Sequence, residues 1–450
     1  MSDLSGRGRD PKETRALDKR IFSLAWPALG ALVAEPLFVL VDSAVVGRLG
    51  TPQLAGLTLA STVLVTLVAV FVFLAYATTA AVARKLGAGD SKGALAMGVD
   101  GVWLALILGV ALAALGLVLA PQVIAVLGGS EDVAPHAIAY LRWSAPGIPG
   151  MLVVLAATGA LRGLQDTRTP FVVAVAGAVT NAVLCVTFVY GLDMGIAGSG
   201  LSTAVAQLGM GVTLLVVLVR GARARGVSLR PHPGGIMANF RSGLPLLVRT
   251  LTLRAAILLT VLVATSKGDD ALAAHQIVSA MWNLVAFVLD ALAIAAQALI
   301  GHGLGAGEVE RVRAITRRTL WWGTLAGAAI GAAVAAGGWL IAPLFTADPA
   351  VRHAAALALL VVGLLTPIAG WVFVLDGVLI GAGDGRYLAW AGLITLVAYA
   401  PLALAVHAWA PAGAAGLAWL WVSFAGGFML ARAITTGLRA RGTRWMVLGA

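Results

Sequence analysis

Long apolar runs decide what this chain can fold into: stretches of roughly 20 or more residues with almost no charge recur from Ile21 to Gly437, each able to cross a bilayer core of about 30 Å as a helix. Backbone inside lipid has no water to bond, so such runs satisfy their N–H and C=O groups internally and read as helices. Charged residues make up only 11% of the chain, against about 25% in soluble domains, which excludes a soluble fold. The apolar windows place spans at 21–46, 54–83, 95–120, 134–162, 169–192, 196–220, 242–266, 272–302, 313–342, 350–381, 387–409 and 413–437, an all-α polytopic membrane protein with twelve transmembrane helices.

The formal charge of +11 would suggest a nucleic-acid partner in a soluble protein. Here the basic residues lie between apolar runs and report topology, so no nucleic acid is expected. With a cytoplasmic N-terminus, the inside segments hold Arg15, Lys19, Arg20, Arg84, Lys85, Arg162, Arg168, the stretch from Arg220 to Arg241, Arg311 to Arg318, Arg386 and Arg432 to Arg444; the outside loops hold Arg48, Lys267 and Arg352. Both termini are therefore expected inside a cell membrane, the inner membrane in a bacterium. The run from Ile21 is longer than a signal-peptide core and lacks a small-residue cleavage site, so it reads as an uncleaved first span. The resulting organisation is a tail over 1–20, a first lobe over 21–220, a linker over 221–241 broken by Pro231-His232-Pro233-Gly234-Gly235, a second lobe over 242–437 and a tail over 438–450. The single cysteine, Cys185, permits no intrachain disulfide and no thiol metal cluster.

The halves repeat at one offset of 218 residues. Leu86-Gly87-Ala88-Gly89-Asp90 returns as Leu304-Gly305-Ala306-Gly307-Glu308, and the Arg162 to Arg168 loop returns as Ile380 to Arg386; Pro27 meets Pro245 and Pro149 meets Pro367. Two proline pairs and two acidic pairs in one register indicate duplication. Six spans per half leave both halves in the same orientation, a parallel repeat whose two bundles can rock about a central cavity.

Taken together, Pro27 and Asp42 in the first span, Gly47-Arg48-Leu49-Gly50 behind it and the Arg162-Gly163 to Arg168 loop resemble multidrug and toxic compound extrusion (MATE) transporters. The Glu35 to Asp42 block looks most like the DinF-type branch. The resemblance covers about residues 20–437 and implies a V-shaped pair of six-helix lobes that exports cationic or amphipathic compounds against inward flow of H+ or Na+. It also implies that Asp42 carries cation coupling, that the first helix can bend at Pro27, with Pro36 as a second such position, and that no cofactor is needed beyond the coupling ion. A departure lies at Cys185, where relatives often carry an acid four residues after the asparagine matched by Asn181; this leaves the coupling ion open between H+ and Na+.

Charge within a membrane is costly and needs a reason. Glu35 and Asp42 are seven residues apart, so both can face one cavity. A carboxylate there can take up a proton on one side and release it on the other, or hold sodium with oxygens such as those of Asn181 and Thr203; the bland alternative is a paired structural acid. Asn283, Asp290 and Gln297 make a polar stripe on the eighth span, and Arg249 or Arg254 of the seventh could neutralise Asp290, either as a static pair or in a substrate network. Asp376, near the inner end of the tenth span, reads as a functional acid or as the partner of a nearby arginine.

Other motifs read blandly. The Gly-Ala-Gly-acid loops lack a preceding strand and a P-loop Lys-Ser/Thr, so they are tight turns. The scattered histidines show no metal-ligand spacing. Trp321-Trp322, Trp339, Trp419 and Trp421 read as interface anchors. Competing functions are a lipid-linked substrate flippase or metabolite exporter of related fold, a major-facilitator transporter, which the 84–90 loop disfavours, and an intramembrane enzyme, for which no nucleophile–base or His-Glu-x-x-His grouping exists. A channel would need a ring of charges or a filter loop. The expectation is a monomeric transporter of a small molecule in the lipid bilayer, not an enzyme.

Overall fold

The computed structural model describes residues 11–449 of the chain, apart from the side chain of Glu35. Among them run twelve helices long and apolar enough to cross a membrane: α1 (Pro11–Val46), α2 (Thr51–Gly87), α3 (Ser91–Val126), α4 (Ala134–Gly163), α5 (Arg168–Gly191), α6 (Ile196–Ala224), α7 (Pro233–Thr265), α8 (Asp269–Gly305), α9 (Val309–Phe345), α10 (Pro349–Gly381), α11 (Gly385–Trp409) and α12 (Ala414–Arg441). No strand occurs among the described residues.

Several helices outrun their apolar windows, because hydrogen bonding continues past the lipid-facing stretch. Helix α1 is already formed at Pro11, and α7 starts at Pro233 inside the segment read as a linker. The Pro231–Gly235 run therefore ends one helix boundary rather than preventing a helix. Pro233 stands in the first turn, where its missing N–H costs nothing, and the His232 ring accepts from the Gly235 N–H at 3.0 Å as a cap.

Helices α1–α6 and α7–α12 form two bundles. The loops after α2, α4, α8 and α10 and both described chain ends gather at one arginine-rich face, the basic end. There one apolar core runs through both bundles, from Ile21, Leu152 and Leu218 to Leu299, Leu304 and Val378. Away from the basic end the core divides into a cluster confined to the second bundle, around Val278, Leu359 and Trp421, and one confined to the first, around Leu57, Ile124 and Tyr140. The bundles thus join at one end and part towards the other, the shape of a V.

The seam is a pseudo-twofold contact between α2 and α8. Gly87 packs on the His302 carbonyl and Gly305 on the Arg84 carbonyl, and at the 218-residue offset these are the same contact written twice. Ala83 and Gly301, equivalent to each other, meet on the axis. A Cβ at Gly87 or Gly305 would overlap the facing carbonyl oxygen, so glycine is what lets the helices approach. Contacts advance together along both helices, from Tyr76 with Gln297 to Gly87 with His302, so α2 and α8 run parallel and the bundles share one orientation. The turns repeat as well: Gly89 and Gly307 have φ of 80° and 75°, and Gln165 and Gly383 have 64° and 72°.

Candidate functional site

Asp42 lies four residues before the end of α1 and is 3% exposed. Three helices deliver donors to it. Asn181 of α5 donates its Nδ2 to Oδ1 at 3.1 Å, Thr203 of α6 donates Oγ1 to Oδ2 at 3.1 Å, and the Tyr140 hydroxyl of α4 reaches Oδ2 at 3.2 Å. Tyr140 and Thr203 also touch each other at 3.2 Å. The buried Cys185 thiol lies one turn beyond Asn181 and faces the same carboxylate. The carboxylate thus accepts three hydrogen bonds, the arrangement that makes a buried charge tolerable. Asn181 Oδ1 and Ser199 Oγ, both buried, have no hydrogen-bond partner among the described residues.

A hollow beside Asp42, lined by Phe38, Ser61, Val68, Tyr140, Met151, Thr203 and Gln207, adjoins a larger cavity of about 170 Å³. The two share Phe38, Val68, Met151 and Gln207 as wall. The larger one runs between α1, α2, α4, α5 and α6, with Leu32, Leu155, Val173 and Met210 as apolar walls. Towards the basic end it carries Tyr76 and Arg162 of the first bundle, and Asp290 and Ile294 of α8 close it from the second.

The predicted polar stripe on α8 divides by environment. Asn283 is exposed, Asp290 is half-buried in the cavity wall, and Gln297 is buried and donates to the Tyr76 carbonyl at 2.9 Å, tying the bundles together. Neither proposed partner of Asp290 forms an ion pair with it: Arg249 pairs with Asp376 at 2.7 Å, and Arg254 is exposed. Asp376, on α10, also pairs with Arg432 of α12, so one carboxylate bridges two guanidiniums. The reason is neighbour order, since α7, α10 and α12 surround Asp376 while Asp290 faces the first bundle. Pro27 and Pro36 stand inside the continuous helix α1. The Glu35 side chain falls outside the described residues.

The repeat shows what each bundle did with the same positions. At the 218-residue offset Asp42, Asn181, Thr203 and Tyr140 correspond to Thr260, Tyr399, Trp421 and Ala358. In the second bundle these make a solid aromatic block: Thr260 bonds Tyr399 at 2.6 Å, and Tyr399 and Trp421 pack against Phe424. Trp421, read from sequence as an interface anchor, is 2% exposed within this block. Likewise Ala31, Thr158 and Leu214 of the open cavity correspond to Arg249, Asp376 and Arg432, whose ion pairs fill the equivalent space. One bundle keeps a chamber and the other is packed shut.

Two groups were missed in the sequence. Tyr140 gives no periodic signal. Arg162 reads as a loop residue, yet it is buried on the cavity wall. The signal for it is helix geometry: Cα–Cβ bonds tilt towards a helix N-terminus, so an arginine in the last turn of α4 reaches back into the bundle.

Comparison with known proteins gives the same picture. Protein DETOXIFICATION 44, chloroplastic, of Arabidopsis thaliana is 34% identical over 389 residues, covering 83% of this chain and 74% of the relative. DNA damage-inducible protein F of Escherichia coli is 29% identical over 373 residues, covering 81% of each. Among solved structures, the Vibrio cholerae MATE transporter VcmN in the bent form superposes with a TM-score of 0.84 at 23% identity, over 96% of this chain and 99% of that one. An outward-facing multidrug resistance MATE family transporter superposes with a TM-score of 0.84 at 22% identity, over 96% and 98%. The MatE family profile matches residues 27–187 and again 245–405, two segments displaced by the same 218 residues as the repeat. With both halves matched and the twelve-helix V in common, the chain belongs to the MatE family of multidrug and toxic compound extrusion transporters.

Proposed function

We propose that this transporter is a secondary antiporter that exports small cationic or amphipathic organic compounds by alternating access in exchange for H+ or Na+, with Asp42 as the coupling carboxylate. The observation that carries the proposal is the burial of Asp42 among donors from three other helices beside an apolar-walled cavity that reaches to the second bundle. Ionised, the carboxylate accepts from Asn181, Thr203 and Tyr140 together. Protonated, it must donate one bond itself; the Thr203 or Tyr140 hydroxyl can turn to accept, whereas the Asn181 NH2 cannot. Occupation by a proton or a sodium ion therefore changes how α1 packs on α4, α5 and α6, which form the cavity wall. Pro27 and Pro36 each remove an N–H from the helical ladder of α1 and supply places for it to bend. Glu35, one face with Asp42 by its spacing, is a second candidate for coupling.

In this reading the lobe over 21–220 holds cargo and cation, the stretch over 221–241, helical at both its ends, joins it to the lobe over 242–437, and the tails over 1–20 and 438–450 face the cytoplasm with the basic end. Arg249, Asp376 and Arg432 act as a rigid internal strut, and Asn283, Asp290 and Gln297 face the first lobe; Arg254 has no place in the network. The protein works as a monomer in the plasma or inner membrane.

The test is reconstitution in liposomes with pH and Na+ gradients imposed separately, following efflux of a cationic dye. Wild type moves dye with one of the gradients and Asp42→Asn does not. Equal rates in the two proteins would remove Asp42 from the mechanism.

A further inference from the structure

Arg162 is the cavity group that cation export leaves unused. It is 8% exposed, lines the cavity beside Tyr76 and Asp290, and makes no hydrogen bond or ion pair through its side chain to any described residue. Buried guanidiniums are ordinarily paired, since desolvating a lone charge costs several kcal/mol. Asp290 does not serve Arg162 alone, because it also lies within electrostatic reach of Arg249 and Arg432. Among the described groups at this level, Arg162, Arg249 and Arg432 face Asp290 and Asp376, leaving one positive charge in excess. Arg249 and Arg432 share Asp376, so that excess lies in the filled triad; Arg162, the one of the three that looks into open space, faces Asp290 across the wall without pairing with it, and its guanidinium donors meet no acceptor among the described residues.

Among the described residues the surrounding wall gives that charge no other anion. Leu32, Leu155, Val173 and Met210 are apolar and suit a hydrocarbon or aromatic body. A guanidinium presents a planar fork of donors that matches the two oxygens of a carboxylate. We propose that Arg162 recognises a carboxylate on the cargo, so that the transporter takes amphipathic organic acids and zwitterions with their acid group at the basic end of the cavity. The inference rests on the reading of this cavity as the cargo chamber. A zwitterion would place its acid at Arg162 and its cationic end towards the hollow of Asp42, which continues from the same walls.

The test uses two dyes with one body, a xanthene bearing a free carboxylate and its ethyl ester. Their binding to the full-length protein in phosphatidylcholine nanodiscs is followed by fluorescence anisotropy, without any gradient. Wild type binds the acid about tenfold more tightly than the ester, the usual worth of a charge-assisted pair. In Arg162→Gln the ratio falls to about one, and in Arg162→Lys part of it returns. Because both dyes are measured in the same preparation, unfolded protein cancels from the ratio. A ratio near one in wild type, or an unchanged ratio in Arg162→Gln, overturns the inference while leaving the chamber intact. Displacement of the acid alone by added phosphatidylglycerol also overturns it, by giving the seat to a lipid phosphate. If neither dye binds, the chamber reading fails and takes the inference with it.

Discussion

Tyr140 and Thr203 reach the same oxygen of Asp42 and also touch each other, so their contributions to holding that carboxylate are shared. Residues in one hydrogen-bond network couple by roughly 0.5–3 kcal/mol. Tyr140→Phe and Thr203→Val should each slow gradient-driven efflux, and the double variant should lose clearly less than the product of the two; a double-mutant cycle on initial efflux rates reads this, and full multiplicativity would make the two hydroxyls independent. Asp376 gives a contrasting case of stability. It is buried with both arginines, at 8% side-chain exposure against 12% for Arg249 and 9% for Arg432. Asp376→Asn leaves two buried guanidiniums facing each other, and removal of one partner of a buried ion pair costs about 3–5 kcal/mol. The thermal midpoint in detergent should drop accordingly, far more than for Arg254→Gln at an exposed position. Asn181 and Thr203 could be named in advance, because intramembrane polar residues near an acid are few. The pairing of Asp376 could not, because helical spacing fixes which face a side chain leaves by but not which helix stands opposite.

At the scale of the helix, the duplication was readable because glycine and proline constrain backbone in ways that survive while side chains change. The register that matches Gly87 with Gly305 in sequence is the register of the contact in space, where each glycine meets the other half's carbonyl. Divergence of side chains is what hid the difference between the halves: nothing in the apolar pattern of α11 and α12 distinguishes a packed block of Tyr399, Trp421 and Phe424 from an open wall, since both are apolar along the whole helix. The pseudo-twofold seam makes its own prediction. Gly87→Leu and Gly305→Leu should have the same consequence despite lying 218 positions apart, because each forces α2 and α8 apart at equivalent points. Both should lower the thermal midpoint by a similar amount, while leucine at Gly209, where a Cβ meets nothing within 4 Å, should not. A large asymmetry between the two seam variants would show that the contact is not a symmetric one.

Across the whole molecule, the bundles are held at the basic end by more than their two glycine contacts. Asp18 of α1 takes two hydrogen bonds from Arg318 of α9 at 2.6 Å and one from Trp322 at 2.8 Å, and Asp100 of α3 receives the backbone N–H of His232. The chain end adds a strap. After α12 the backbone turns back across the seam, where Trp445 is 2% exposed in the core common to both bundles. Beyond it, Arg84 of the first bundle donates to the Val447 carbonyl, and the Gly449 N–H donates to the Leu304 carbonyl of the second. A segment read from sequence as a cytoplasmic tail thus closes the basic end, because one tryptophan in it is large enough to join the core. Every interaction of the strap with the first bundle belongs to the state in which the basic end is shut, so its loss weakens that state alone. Each 1.4 kcal/mol lost moves the ratio of the two states about tenfold, and truncating a buried tryptophan forfeits about 3–5 kcal/mol of packing. Trp445→Ala, or removal of the chain from Gly442 onward, should therefore shift the protein towards a conformation open at the basic end and closed at the other. Val126 and Leu344, exposed and equivalent in the repeat, mark the far ends of α3 and α9 on opposite bundles. Spin labels at Val126→Cys and Leu344→Cys should report a shorter distance in the Trp445→Ala background than in its absence, and an unchanged distribution would mean that the strap merely rides on a seam held by the glycines and Asp18.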